Sequence, residues 1–465
     1  MYDQPRWARE AAVPILAGLI WLWCAASFGV VGFTFSLIPG VLLLGSGASL
    51  LFWPGDDRIT QFAALGGLLG VPLALPVFLV SGFGLGVVLV GFSAAAFVAA
   101  GVAAIRQEPH VPHVPAPTLD LRTAAQVGVD EALLATMVLT RRSPWGRERD
   151  RILREAEQAR AVFAGHGWLD KPADYHRTPP ELARVAVTHG RTIGIDYEEW
   201  SFESGYEPAE DEPARERWLS YGPNRTAYAR VLRARAADRP WLVCFHGYQM
   251  GWPLTDVAAF QRVWRRHDLN VVLPVLPLHG PRKVGRRSGD GFLDGDILNS
   301  VHAEAQAMWD ARRILSYLRA QGAPGIGVFG LSLGGYNTAL LASLDAGLAC
   351  AIPGIPATDF SRLIWRHGAP LELRSVEHHG FRRAIADEVL RVVSPLELEP
   401  RVPQEHRAIF AGTADRLVPP DQVHDLWEHW GRPRIHWYQG GHMTFLMDPR
   451  VERLIGETLR GAGLV

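Results

Sequence analysis

Two charge-free apolar runs open the chain, one from Ala11 to Trp53 over about 43 residues and one from Ile59 to Ile105 over about 47. Each is close to twice the roughly 20 residues that cross a bilayer core, so each predicts a helical hairpin. Gly32 with Pro39-Gly40 offers the turn in the first run, and Ser81-Gly82-Phe83-Gly84 in the second. The apolar stretch continues well past the about 7 to 15 residues of a signal-peptide core, and bulky Trp23 ahead of Cys24 argues against a lipoprotein site. Four membrane helices are therefore expected over residues 1–106.

The pattern changes twice more. His110 to Pro117, with Pro112, Pro115 and Pro117, reads as an extended linker. Leu119 to Leu139 then shows apolar residues at near-helical spacing, and Arg147 to His166 reads as a charged helix with i, i+4 Arg–Glu pairs. These make residues 107–190 a connector, closed by Pro179-Pro180. From residue 191 to 465, short apolar runs alternate with helical stretches. Ile193, Ile195 and Tyr197 alternate as in a strand with one covered face. Trp241 to Phe245, Asn270 to Leu276, Gly325 to Phe329, Cys350 to Ile355, Ala408 to Ala411 and Arg434 to Tyr438 are continuous apolar runs. Such runs suit strands buried on both faces of a parallel sheet. With helices expected over Val257 to Arg266 and Ala303 to Ala320, this predicts a doubly wound α/β sheet.

A formal net charge of -1 over 465 residues offers no basic footprint, which excludes nucleic acid as a partner. The positive charges flanking the apolar runs, Arg6, Arg9, Arg58 and Arg106, all fall on one side of a four-helix arrangement, although Asp56 and Asp57 accompany Arg58. That bias predicts an integral membrane protein whose C-terminal part is cytoplasmic. Arg141, Arg142, Arg147 and Arg149 are read as a solvated cluster, with anionic lipid headgroups as the alternative contact. Three cysteines without metal or redox spacing imply no disulfide framework.

The stretch Gly330-Leu331-Ser332-Leu333-Gly334-Gly335-Tyr336 follows a predicted strand and precedes a predicted helix. G-x-S-x-G at that junction is the spacing of a nucleophile elbow, where the serine takes strained backbone angles and its neighbours have no room for a Cβ. Downstream, Gly412-Thr413-Ala414-Asp415-Arg416-Leu417-Val418-Pro419 follows one strand, and Gln439-Gly440-Gly441-His442 follows the last. On these motifs, in this order, the segment from about Trp241 onward resembles the α/β-hydrolase superfamily.

The resemblance implies a serine hydrolase of α/β-hydrolase fold, with Ser332 as nucleophile, His442 as base and Asp415 as the acid that orients it. It also implies an oxyanion hole from the backbone N–H groups of Leu333 and Tyr248, with the loop at His279-Gly280 as a rival source of the second donor. His279 and Arg282 would then line the rim of the pocket. Residues Ala357 to Leu390 fall where many relatives insert a cap, and Trp365 with Phe360, Leu363 and Ile364 would make it apolar. The cap histidines His367, His378 and His379 lack zinc spacing and carboxylate company. No metal and no cofactor is expected. The activity expected is hydrolysis of a carboxylic ester, of a lipophilic or acyl-lipid substrate, by a membrane-anchored enzyme. A peptidase, an acyltransferase and a non-catalytic scaffold stay open as alternatives. Without residues 11–105, a soluble, active hydrolase beginning near Pro115 is expected.

Overall fold

A computed structural model describes residues 8–52, 56, 58–141, 144–236 and 238–465. Arg6, Trp53, Asp57 and Arg142 lie outside the described residues. The chain divides into two compact units. The first takes residues 1–141 with two later segments, 412–420 and 437–448; the second takes the rest.

Four helices dominate the first unit: α1 (Ala8–Ser27), α2 (Gly29–Phe52), α3 (Ile59–Ser81) and α4 (Phe83–Gln107). All four are long and apolar enough to cross a membrane. Trp21, Cys24, Leu43, Val77, Leu89 and Ala96 pack between them, and the Trp21 indole N–H donates to Ser93 Oγ at 3.0 Å. Val30, Leu79 and Phe83 are more than two-thirds exposed, an outward apolar belt of the kind that lipid chains would cover. The α3–α4 break falls at Gly82 as its sequence predicts, with φ at +86°. The first hairpin turns elsewhere: Gly29 takes φ +57°, while Pro39 and Gly40 lie inside α2. Gly40 serves packing instead, because a Cβ there would come within 2.8 Å of Leu22. Membrane helices tolerate such residues where neighbours press close. Glu10 near the start of α1 pairs with Arg106 at the end of α4, so those two ends lie together.

Helix α5 (Leu121–Thr140) completes this unit. Asp120 caps it, accepting from the Thr123 N–H at 2.8 Å. Its Ala132 packs with Ala63, Ala64 and Ala100, and its Val127 with Ala104 and Ile105. Small residues let these helices approach closely.

The second unit begins with α6 (Arg147–Gly165) and carries a nine-stranded sheet in the order β1-β2-β3-β5-β4-β6-β7-β8-β9. Strands β1 (Ala186–Thr192), β2 (Ile195–Glu203) and β3 (Thr226–Leu232), the last preceded by short α7 (Arg215–Leu219), are antiparallel. From β4 (Trp241–Phe245) and β5 (Asn270–Pro274) onward the pairing is parallel, through β6 (Ile326–Leu331), β7 (Ala351–Gly354) and β8 (Ala408–Gly412). These five strands are buried along their whole length, as helices on both faces require. The edge strand β9 (Arg434–Tyr438) is only partly covered.

The covering helices are α8 (Pro253–His267), α9 (Ile297–Ala320), α10 (Leu333–Leu344), α14 (Pro420–His429) and α15 (Pro449–Gly461). Between β7 and β8 the chain inserts three short helices, α11 (Phe360–His367), α12 (Pro370–His378) and α13 (Arg383–Leu390). This is the α/β-hydrolase fold.

If the apolar belt of α1 to α4 faces lipid, the full-length protein stays in the membrane pellet through alkaline carbonate extraction. Release of the protein into the supernatant would show that the four helices do not span.

Candidate functional site: a strained serine and a buried carboxylate–histidine pair

In the second unit, β5 lies on one side of β4 and β6 on the other, so the chain reverses its direction across the sheet between β4 and β6. Loops at the carboxyl ends of two such neighbours diverge and leave a crevice, the usual ligand position in open α/β sheets. The β4 loop is His246-Gly247-Tyr248 and the β6 turn is Ser332. Their strands run in register, Phe245 beside Gly330, and a Cβ built on Gly247 would sit 3.8 Å from the Ser332 Cβ.

Ser332 has φ +60° and ψ −115°, a region that costs a non-glycine residue roughly 1–3 kcal/mol. The surroundings enforce it. A Cβ on Gly330 would overlap the Gly334 carbonyl, and one on Gly334 would overlap the Phe245 carbonyl. The Ser332 N–H donates to the Gly354 oxygen at 2.9 Å, and its carbonyl accepts from the Tyr336 N–H at 3.1 Å. Leu333 opens α10, where a first-turn N–H has no carbonyl four residues back to bond.

His246 shapes the β4 loop. Its Nε2 accepts the Leu276 N–H at 3.1 Å, so its Nδ1 carries the proton and donates to the Gly247 oxygen at 2.8 Å. Burial pushes its pKa down to about 4, which keeps the ring neutral and this pattern intact. Asp256 closes the same loop by accepting the Gly251 N–H at 2.9 Å, and is itself held by Arg230 at 2.7 Å.

The rim residues sit differently from expectation. Arg282 is 1 % exposed. Its guanidinium donates to the Val275 and Asn224 carbonyls at 2.9 and 3.0 Å and pairs with Asp310 at 2.9 Å. It is an interior strut, because a buried guanidinium must have its donors and charge matched. His279 is fully buried too; its Nδ1 donates to the Pro277 oxygen at 2.9 Å, and burial followed by neighbouring His246 pushes its pKa down to about 3.

An aromatic cluster joins these loops to the cap. Tyr248 meets His279 and Phe292 at ring distances of 5.9 and 6.3 Å. Phe292 meets Phe360 edge-on at 5.6 Å, and Phe360 stacks on Tyr336 at 3.9 Å. Trp365 is farther out in the cap, stacked against Phe381 with its indole N–H on Glu377 at 3.1 Å.

The other two predicted catalytic residues belong to the first unit, in the segments that follow β8 and β9. Asp415 Oδ2 lies 2.6 Å from His442 Nδ1. Its Oδ1 accepts the Leu417 and Val418 N–H groups at 3.0 and 2.9 Å, so both oxygens of this buried carboxylate are satisfied. A carboxylate partner places the ring proton on Nδ1 and leaves the Nε2 lone pair to act as base. Burial opposes the imidazolium, but the charge and hydrogen bond of Asp415, with the charge of Asp130, outweigh it and hold the His442 pKa above its ordinary value. The two segments are zipped by the Thr413 N–H to the Tyr438 oxygen at 2.9 Å and the Ala414 N–H to the Gly440 oxygen at 3.1 Å.

Sequence reasoning missed the acids beside this pair. Asp130 and Glu131, on α5, are 1 % and 0 % exposed. Asp130 Oδ2 accepts the His442 N–H at 2.8 Å and the Arg416 N–H at 3.1 Å. Glu131 takes Arg416 Nε at 2.7 Å and the Thr60 hydroxyl of α3 at 2.6 Å, and Glu108 takes the far side of the same guanidinium. A signal existed: these are the only acids between Asp120 and Glu148, set in an apolar helix. Removing the four apolar helices would take from α5 the Thr60 hydroxyl and the alanines it packs on.

The fold and the elbow place this chain in the class of α/β-hydrolase-fold proteins. No protein-family model matches it. Two Mycobacterium tuberculosis proteins, "Uncharacterized protein MT2702" of strain CDC 1551 / Oshkosh and "Uncharacterized protein Rv2627c" of strain ATCC 25618 / H37Rv, are each 43% identical over 364 residues, covering 77% of this chain and 86% of theirs. The chain belongs to the same family as these two mycobacterial proteins. Among solved structures, it is similar to the acetyl xylan esterase from Paenibacillus sp. R4, with a TM-score of 0.44 and 14% identity over 62% of this chain and 98% of that one. It is also similar to acetyl xylan esterase 1 from Thermoanaerobacterium sp. JW/SL YS485, with a TM-score of 0.45 and 13% identity over 69% and 96%. Pyrococcus horikoshii acylaminoacyl peptidase aligns at a TM-score of 0.38 and 13% identity over 60% and 41%. Likeness at that level speaks to neither substrate nor mechanism.

The strain at Ser332 has its own test. Ser332→Ala and Ser332→Gly both remove the hydroxyl, but only glycine relieves the backbone, so the glycine variant should be about 1 kcal/mol more stable than the alanine variant. Thermal unfolding of the two in the same detergent measures it. Equal midpoints would mean that the turn is unstrained.

Proposed function

We propose that this protein is a membrane-anchored serine hydrolase that cleaves a lipophilic carboxylic ester, with Ser332 as nucleophile, His442 as general base and Asp415 as its orienting acid. The observation that carries the reading is the strained Ser332, held between glycines that admit no Cβ. Strain of that kind persists where function requires it. The Asp415–His442 pair supports it, being buried, bonded at 2.6 Å and set in the tautomer that a base needs. In this mechanism His442 Nε2 removes the serine proton as Oγ attacks the ester carbonyl, and the oxyanion develops against the N–H groups of Leu333 and Tyr248. The protonated imidazole then gives its proton to the leaving alcohol, and water hydrolyses the acyl-enzyme by the same steps in reverse order. Trp365 is assigned to substrate binding through the cap, and buried His279 backs the aromatic cluster at Tyr248. Arg282 supports the wall behind them.

A fluorophosphonate probe should label the wild-type protein at Ser332 and should not label Ser332→Ala. His442→Ala and Asp415→Asn should each lower ester turnover by roughly 10⁴, the scale of triad removals. Labelling that persists in Ser332→Ala would identify a different nucleophile. The pH dependence has a definite sign. Only neutral His442 can act as base, and its pKa is held up, so kcat/KM should rise with pH through an inflection above the usual histidine value of about 6.5.

Substrate class is set by the apolar helices and the aromatic cluster. Each methylene buried in the transition state contributes about 0.8 kcal/mol. Efficiency on p-nitrophenyl esters is expected to climb several-fold per two carbons from acetate toward medium chains. A profile that peaks at acetate would reject the lipophilic reading, and turnover of aminoacyl amides without such a climb would favour a peptidase. We place the hydrolase segment in the cytoplasm on the charge bias of Arg9, Arg58 and Arg106; cleavage of that segment by protease added outside sealed cells would reverse this.

A further inference from the structure

We propose that Asp130 is a positioning residue of the hydrolytic machinery: its carboxylate ties together the backbones of the two segments that carry Asp415 and His442 and presents a second negative charge to the His442 ring. The proposal rests on the hydrolase reading above. Its geometry is independent of that reading and lies wholly within the first unit.

The two segments follow β8 and β9 and are 27 residues apart at Asp415 and His442; besides that pair and the two backbone bonds, the Thr413 hydroxyl donates to Gln439 Oε1 at 3.1 Å across them. Asp130 Oδ2 supplies the further link, taking one N–H from each segment, Arg416 and His442. The fit is tight on the histidine side, where a Cβ on Gly441 would fall 2.5 Å from that same oxygen. The bond is made to the backbone of the base itself, so a displacement of Asp130 moves the imidazole.

The charge acts alongside the geometry. His442 is faced by Asp415 from its own segment's partner, by Asp130 from α5 and by the buried Tyr438 hydroxyl, which donates to the His442 carbonyl at 3.2 Å. Asp130 is faced by Asp415, His442 and the Arg416 backbone. The Arg416 guanidinium is turned to Glu131 and Glu108 instead. Burial, and next the Asp415 charge, raise the Asp130 pKa, as expected of two carboxylates sharing one imidazole. Ionised Asp130 in turn favours the imidazolium. Removing that charge should lower the His442 pKa, and the acid limb of the rate profile should move to lower pH.

The test uses the full-length protein in detergent with Asp130→Asn, which keeps the shape and loses the charge, and Asp130→Glu, which keeps the charge and displaces it. His442 is followed by NMR with histidine labelled at Cε1, its resonance assigned by its loss in His442→Gln, and kcat/KM for a p-nitrophenyl ester is measured against pH. Asp130→Asn should lower kcat by about 10- to 100-fold with KM little changed, the scale of lost orientation. It should also shift both the His442 titration and the acid limb downward. Asp130→Glu should lose activity but keep the titration near the wild-type position. A wild-type titration and acid limb in Asp130→Asn would overturn the proposal while leaving Ser332-dependent turnover, and so the hydrolase reading, in place. Absence of probe labelling at Ser332 in the wild type would overturn the hydrolase reading and the positioning role with it. Should Asp130→Asn not fold, the Asp130→Glu variant decides: unchanged kcat at a displaced carboxylate overturns the proposal.

Discussion

A carboxylate taken out of water must find its hydrogen bonds in the protein or lose its charge, and that constraint organises the loops around His442. Asp415 meets it in full, with two backbone donors on one oxygen and an imidazole on the other. Asp130 meets it with two backbone donors and the nearby ring. Asp415 and Asp130 both face one imidazole, and both favour positive charge on that ring. The same balance explains the direction of the His442 pKa, because burial alone would push it the other way.

The second unit solves a different problem, that of projecting one side chain from a crowded sheet. Glycines on both sides of Ser332 let the α10 backbone approach β4 within carbonyl contact. The helix then begins one residue after the strand ends, and the serine is left at the turn. His246 and Asp256 do for the neighbouring β4 loop what those glycines do for the elbow, fixing its path with side-chain bonds to backbone in place of close packing.

What the sequence made legible was local. The elbow, the acid loop and the histidine loop are short motifs read behind apolar runs, and the runs matched β4 to β9 to within a residue or two. Failures came where a residue's role depends on distant partners. Asp130 meets His442 across 312 positions, and no spacing rule reaches so far. Arg282 resembled a rim residue because a sequence does not show which guanidinium is buried and paired with a carboxylate such as Asp310. Strand β3 hid behind Arg230, whose charge interrupts an otherwise apolar stretch and is matched by Asp256 and Glu199. In the membrane region, glycine and proline were read as turn formers, yet at Pro39-Gly40 they belong to the helix and its packing.

The chain of bonds in the first unit has a mechanical consequence. Thr60 of α3 holds Glu131, Glu131 holds Arg416, and Arg416 is the residue after Asp415. Adjacent Asp130 holds His442. Every link is buried, so every link is costly to leave unmade, and a shift of α3 against α5 cannot be absorbed without breaking one of them. The positions of Asp415 and His442 are thus tied to a helix long and apolar enough to cross a membrane. Such an arrangement ties the order of the Asp415–His442 pair to the integrity of the helical bundle.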